Sequence, residues 1–442
     1  MTTQEQALAT ADRWLNPDAS DAPRREVRSK EFDLGWVVWA APAPLERDPE
    51  TGQRRPPAEI GDACGVVDRQ TGELTVWPSV PVEEVVRMYR HKHASGRAEA
   101  VSSAGSRPVT GPGNTAVFTY TDPGTGQEVF LSRTSAPGLP PAEHQVWAEL
   151  RRLNVPFENV VAIHTDLRPS LLPGGYTAEL VNLFRNAELS SSQPYGARPE
   201  DRAEGITALT QQVESTYRMT GQQPPPHPHR TPVPTAVAPA EPLPDTALGH
   251  HLTNVFGSDG VRRYDTDDLA ASQLPEAAQS VLTRAGLPID LPLFFTADRP
   301  DAPPAGGLFT DVPTNLRQRR SPAGDEKITA LAHLTRIGWD GVAVLAVQCL
   351  PGSTEPNGLG AIWAIDPVTA SARYVNISVA AYVRSLAALA AARDRMQALD
   401  PVSAGAAVAE LQEQLVAIDA SALTDPGAWW SLIIEQMWHG LF

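Results

Sequence analysis

Blocks of regular apolar spacing alternate with stretches where that spacing stops along the 442 residues. In the first block Ala7, Leu8, Ala11, Trp14 and Leu15 recur at helical intervals and predict an amphipathic helix over 4–15. The aromatic and β-branched run 31–40 reads as a strand, and 63–68 and 74–78 read as a hairpin around the turn 69–73. Pro81 opens a closing helix that runs to Tyr89. The second block starts with a hairpin over 116–131, turning through Asp122-Pro123-Gly124-Thr125-Gly126. It continues as helix (about 141–154), strand (159–165), turn and helix (173–184), strand (187–192) and helix (200–218). That alternation predicts an α/β or three-layer α/β/α sandwich. In the third block a helix at 274–285 leads through Gly286-Leu287-Pro288 into the apolar run 293–295, and strand-like runs follow at 334–339, 342–347, 360–365 and 373–376. Val379, Tyr382, Val383, Leu386 and Leu389 form the buried stripe of a helix over 378–395, and a last helix carries Trp429 to Met437.

Between the blocks lie a Ser/Gly/Pro-rich stretch at 96–114 and a Pro-rich one at 222–244. The second is expected as extended polyproline II, a semi-rigid spacer. The expectation is therefore a multidomain α+β and α/β protein with domains at 1–95, 115–221 and 245–442, joined by linkers.

Composition narrows the function. A net charge of -16 disfavours nucleic acid and anionic membranes, whose phosphates attract Lys and Arg. The two cysteines, Cys64 and Cys349, leave neither a disulfide framework nor a multi-cysteine zinc site. No apolar run reaches the ~20 residues that span a bilayer, and the first residues lack the pattern of a leader peptide. A soluble, cytoplasmic protein is expected.

The stretch 167–177, with Ser170, Pro173, Gly174, Gly175 and Thr177, reads as a tight turn between a strand and a helix, where His144 of the preceding helix could stand beside it. Ser170 lacks the G-x-S-x-G turn of a hydrolase nucleophile. His164 and Asp166 alternate along the strand and, with His144, could suggest a rewired metal site.

From about His144 to Gly205 the chain resembles the zinc-dependent nucleotide or nucleic-acid deaminases of bacterial polymorphic toxin systems. The carriers are the helical His144, the turn Pro173-Gly174-Gly175-Tyr176, Pro194-Tyr195-Gly196 and Arg202-Ala203-Glu204-Gly205-Ile206. The resemblance implies one His and two Cys on zinc, and a Glu two residues after the His to move protons. Here Ser170 and Thr177 stand in the cysteine positions and Val146 in that of the Glu. Neutral hydroxyls are poor zinc ligands, and valine transfers no proton. No cofactor and no catalytic residue is expected; His144 is either a relic of a pocket or a histidine packed on a helix face.

The flanking domains also carry resemblances. Gly35-Trp36-Val37 and Val67-Asp68-Arg69-Gln70-Thr71-Gly72 resemble the YrhB-type immunity domain. Ala361-Ile362-Trp363-Ala364-Ile365-Asp366, Val375-Asn376-Ile377-Ser378, Val383-Arg384-Ser385-Leu386 and the 429–437 helix resemble the fourth subgroup of the SUKH immunity family. Both imply binding: a protein partner such as a toxin, rather than a substrate. The alternatives are a divergent deaminase with a rewired metal site, or a scaffold component of a bacterial assembly.

Overall fold

The computed structural model describes residues 2–16, 24–41, 64–77, 82–83, 85–86, 89–90, 107–270, 272–350, 358–397 and 399–442. They divide into two units, Met1–Ser106 and Arg107–Phe442.

The first unit is an antiparallel sheet in the order β1 (Val27–Phe32), β2 (Gly35–Ala40), β3 (Cys64–Asp68) and β4 (Leu74–Trp77). Helix α1 (Gln4–Leu15) starts with a capping box at Thr3 and lays Ala7 and Ala11 on Trp36, Val38 and Val67. Val85, Val86 and Tyr89, from the partly described helix after Pro81, cover Val37, Cys64 and Val66 on the other face. With both faces covered, β2 has no exposed side to keep polar, which is why it reads as an unbroken apolar run. The Asp68 carboxylate accepts the N–H groups of Gln70 and Thr71 and the Tyr89 hydroxyl, tying the hairpin turn to that helix.

The second unit opens with a four-stranded sheet in the order β6 (Glu128–Thr134), β5 (Thr115–Thr121), β7 (Val160–Leu167) and β8 (Glu188–Gln193). Only β7 and β8 pair in parallel, and the connection between them carries helix α3 (Thr177–Val181). Helix α2 (Ala142–Arg152) and α3 cover one face, where Ala116, Phe118 and Ile163 meet Val146, Leu150, Leu180 and Val181. Strand alternation puts His164 and Asp166 on the opposite face from Ile163. Helix α4 (Pro199–Met219) crosses so close to the chain before it that a Cβ on Gly205 would lie 1.9 Å from the Pro194 carbonyl oxygen.

The C-terminal part follows helix α5 (Asp245–Phe256) with an antiparallel sheet in the order β9 (Asp290–Leu291), β10 (Phe295–Ala297), β11 (Leu334–Trp339), β12 (Val344–Gln348), β13 (Ile362–Ile365) and β14 (Ala372–Asn376). Helices α6 (Val379–Met396), α7 (Pro401–Ile418) and α8 (Trp429–Trp438) complete it. Nearly all of α8 is buried, and its polar side chains Glu435 and Gln436 are hydrogen-bonded to the domain built on β5 to β8. One hydrophobic core includes Leu167, Leu172, Tyr195 and Leu209 of the domain built on β5 to β8 together with Tyr382, Trp429 and Phe442. The two C-terminal domains are thus fused through a shared interior.

Three stretches depart from or refine what the sequence suggests. The turn expected ahead of the helix is present, with Gly174 and Tyr176 left-handed at φ of 83° and 45°, but the helix after it is Thr177–Val181 and stops short of 184. The apolar run 293–295 enters a strand only at Phe295: Leu293, with φ 75°, forms the turn after Pro292. The spacer at 222–244 is a strap bonded to its surroundings. His229 and Val109 exchange two backbone hydrogen bonds of 2.9 Å, Gln412 Nε2 donates to Pro232 O, and Ala240 N–H donates to Ala417 O. Residues 107–114 are packed as well: Gly111 and Gly113 donate their N–H groups to Trp438 O and His439 O at the end of α8.

Candidate functional site

Helix α2 presents Ala142, Glu143, Val146 and Leu150 to the interior. His144 therefore sits at the edge of that stripe, facing the loop after β7. Its Nε2 is 2.8 Å from Gly175 O. A carbonyl only accepts, so Nε2 carries the proton. Burial holds the imidazole below its usual pKa, and the ring is neutral at pH 7.

Ser170 and Thr177 stand next to each other across the turn. The Ser170 N–H donates to Thr177 Oγ1 at 3.0 Å, and Ala178 N–H donates to Ser170 O. The turn thus closes on itself with hydroxyls where thiolates would be needed. Val146 is fully buried among Ala116, Phe118 and Leu150. An imidazole nitrogen already committed to a carbonyl, two neutral hydroxyls and a valine do not fit a zinc ion and its proton carrier. His164 does not join them. It is exposed on the far face, between Ser190 Oγ (2.9 Å) and Ser192 Oγ (3.1 Å), while Asp166 accepts the Thr115 N–H. No group of three His, Cys, Asp or Glu side chains among the described residues is placed to hold a metal ion.

Beside the turn is a small cavity lined by Glu143, Ser170, Gly175, Thr177, Gln436 and Phe442, among others, with room for about one water. Glu143 is 1% exposed. Its Oε1 accepts from Asn114 Nδ2 at 2.9 Å, and its Oε2 is buried without a partner. Burial pushes its carboxyl up to about 7. Glu143 adjoins His144 without the i+2 relation of a deaminase proton carrier, and sequence reasoning set it aside on that ground. The signal was there, because Glu143, Val146 and Leu150 share one helical stripe.

Helix α8 and the residues after it close this region. Gln436 Nε2 donates to Pro173 O at 2.8 Å. A Cβ on Gly174 would meet Phe294, Phe442 and Ile433 at 2.9, 3.0 and 3.4 Å. The Tyr176 hydroxyl and Trp429 Nε1 both donate to the buried Asp340 Oδ2, at 2.7 and 2.8 Å. Arg202 pairs with Glu435 through two hydrogen bonds of 2.9 and 2.8 Å. The Tyr195 hydroxyl lies 2.8 Å from His439 Nδ1, and burial pulls that imidazole down to about 4. The motif residues Pro173 to Tyr176, Tyr195 and Arg202 therefore all face the C-terminal domain. Of the residues that receive them, Glu435 and Gln436 lie in the 429–437 helix that carries the SUKH resemblance, while Asp340 and His439 lie outside every motif.

Three family models match the chain, each over a different region. Residues 5–97 match an Immunity protein 35-like domain, residues 111–212 a Xanthomonas-like deaminase and residues 247–436 a SUKH-4 immunity protein. The first domain, read from its motifs as YrhB-type, is thus matched as Immunity protein 35-like, and both readings are of an immunity domain. No curated protein and no solved structure matches the chain.

Proposed function

We propose that this chain, a multidomain protein of immunity type, acts by binding and neutralising a protein toxin or another protein of the same conflict system, without catalysis. Its domains support an immunity role. The observation that carries the reading is the deaminase-like turn, which has hydroxyls in the thiolate positions and lies under α8 of the SUKH-4-like domain. In this reading the deaminase-like domain is a scaffold, and the immunity domains supply the gripping surfaces. Affinity capture with the full chain from the source cells tests it. Recovery of one specific toxin or partner is expected. A capture that returns no specific partner counts against binding as the function.

A second reading, a divergent deaminase, draws on Glu143: a carboxyl held near neutrality on a cavity is suited to moving protons. Deamination assays on nucleosides and single-stranded nucleic acid, with metal analysis of the purified chain, separate the two. Turnover with stoichiometric zinc bound at His144 would replace the binding reading.

A further inference from the structure

A groove of about 540 Å3 lies between α2 and the C-terminal domain, within the range of small-molecule sites, about 300–1,000 Å3. Arg133, His144, Glu149, Arg152, Leu293 and Arg393 are among its walls. Three guanidiniums face one carboxylate, and His144 is neutral, so the lining is positive in a chain whose net charge is -16.

The three arginines are not equally engaged. Arg152 is bound to Glu149 through contacts of 3.0 and 2.6 Å. Arg133 donates one hydrogen bond, to Ser132 O. The Arg393 guanidinium lies 4.9 Å over the Phe294 ring, its Nε is buried without a hydrogen-bond partner, and it forms no ion pair among the described residues. A half-buried guanidinium with an unpaired Nε, on which only the exposed neighbouring carboxylate of Asp394 acts from a distance, carries a standing cost that a bound oxyanion would reduce. At the lip, Leu293 holds a φ of 75°, in a turn position that glycine normally takes. Such strain concentrates where surrounding structure fixes a ligand clamp.

We propose that this groove binds a small oxyanion carrying two or more phosphate or carboxylate groups, with Arg393 as the anchor and Arg133 and Arg152 on its flanks. Forked guanidinium N–H groups match both kinds of oxyanion. The lone acid, Glu149, is already neutralised by Arg152 and does not repel the ligand.

Calorimetric titration of the full chain at low ionic strength, with pyrophosphate in one arm and citrate in the other, tests this. Saturable one-to-one binding is expected, weakened about tenfold or more in Arg393→Gln and in Arg133→Ser, since a charged hydrogen bond carries roughly that factor. Arg320→Ser, outside the groove, keeps the affinity within about twofold. Tighter pyrophosphate binding assigns phosphate and tighter citrate binding assigns carboxylate. Should Arg393→Gln fail to fold, judged by its melting curve without ligand, the less engaged Arg133→Ser carries the test. Absence of saturation by either anion up to about 10 mM, a binding free energy weaker than ~3 kcal/mol, overturns the proposal. So does an equal loss in Arg320→Ser.

Discussion

Removing the Glu435 carboxylate is the sharpest probe of how the deaminase-like and C-terminal domains are joined. The Arg202 side chain is 2% exposed and that of Glu435 16%. Arg202 places Nε and Nη2 on the two carboxylate oxygens and Nη1 on the carbonyls of Gly196 and Ala197, at 3.0 and 2.7 Å. Glu435→Ala leaves the backbone bonds but strands a buried cation with two donor atoms unpaired, a change that costs about 3–5 kcal/mol. Folded domains are stable by about 5–15 kcal/mol, so this is a large fraction of the whole. Replacing both partners, Arg202→Met with Glu435→Leu, removes the stranded charge and should recover most of the loss. Urea unfolding followed by tryptophan fluorescence reads it directly, because Trp429, Trp430 and Trp438 lie on the same helix as Glu435. A loss below about 1 kcal/mol in Glu435→Ala would place the pair among ordinary surface bridges and refute the reasoning. A double variant no more stable than Glu435→Ala would refute it too.

Glu143 makes stability depend on pH in a defined direction. Its carboxyl titrates near 4.5 when unfolded and at about 7 when folded, so the native state holds the extra proton between those values. Its contribution is intact below pH 4.5 and lost as pH rises through 7. Glu143→Gln should therefore leave stability at pH 4.5 nearly unchanged and raise it by about 3 kcal/mol at pH 8, measured by urea midpoints; no gain at pH 8 contradicts the burial account. Gly174→Ala should destabilise the chain by about 2 kcal/mol, from left-handed strain plus contact with Phe294 and Phe442, and a thermal melt unchanged from wild type would show that the closure of the turn is looser than described.

Much of the fold was legible from local pattern. Period-3.6 stripes marked α1 and α6, the order of helix-like and strand-like runs placed α2 and α4, the Trp429 to Met437 run marked α8, and β-branched runs marked most strands, because those elements bury one face or both. Helix α7 shows a start signal, Asp400 capping ahead of Pro401, but its alanine-rich body blurs the stripe and no helix was read there. The helix after the turn was read too far, to 184, because the apolar Leu183 and Phe184 continue its pattern past Val181, where it ends.

What the sequence by itself determined is chemical identity: hydroxyls at 170 and 177 and a valine at 146, in a frame with deaminase-like motifs, flanked by immunity-type domains. Only the tertiary structure decided what those motif residues touch. Arg202, Tyr176 and Gly174 meet Glu435, Asp340 and Phe442, partners separated from them by 233, 164 and 268 positions. Long-range packing brings such groups together, and no local periodicity records which surface will cover a buried turn. The same holds for Arg133, Arg152 and Arg393, which are ordinary surface residues in the sequence and share one groove only after the chain has folded.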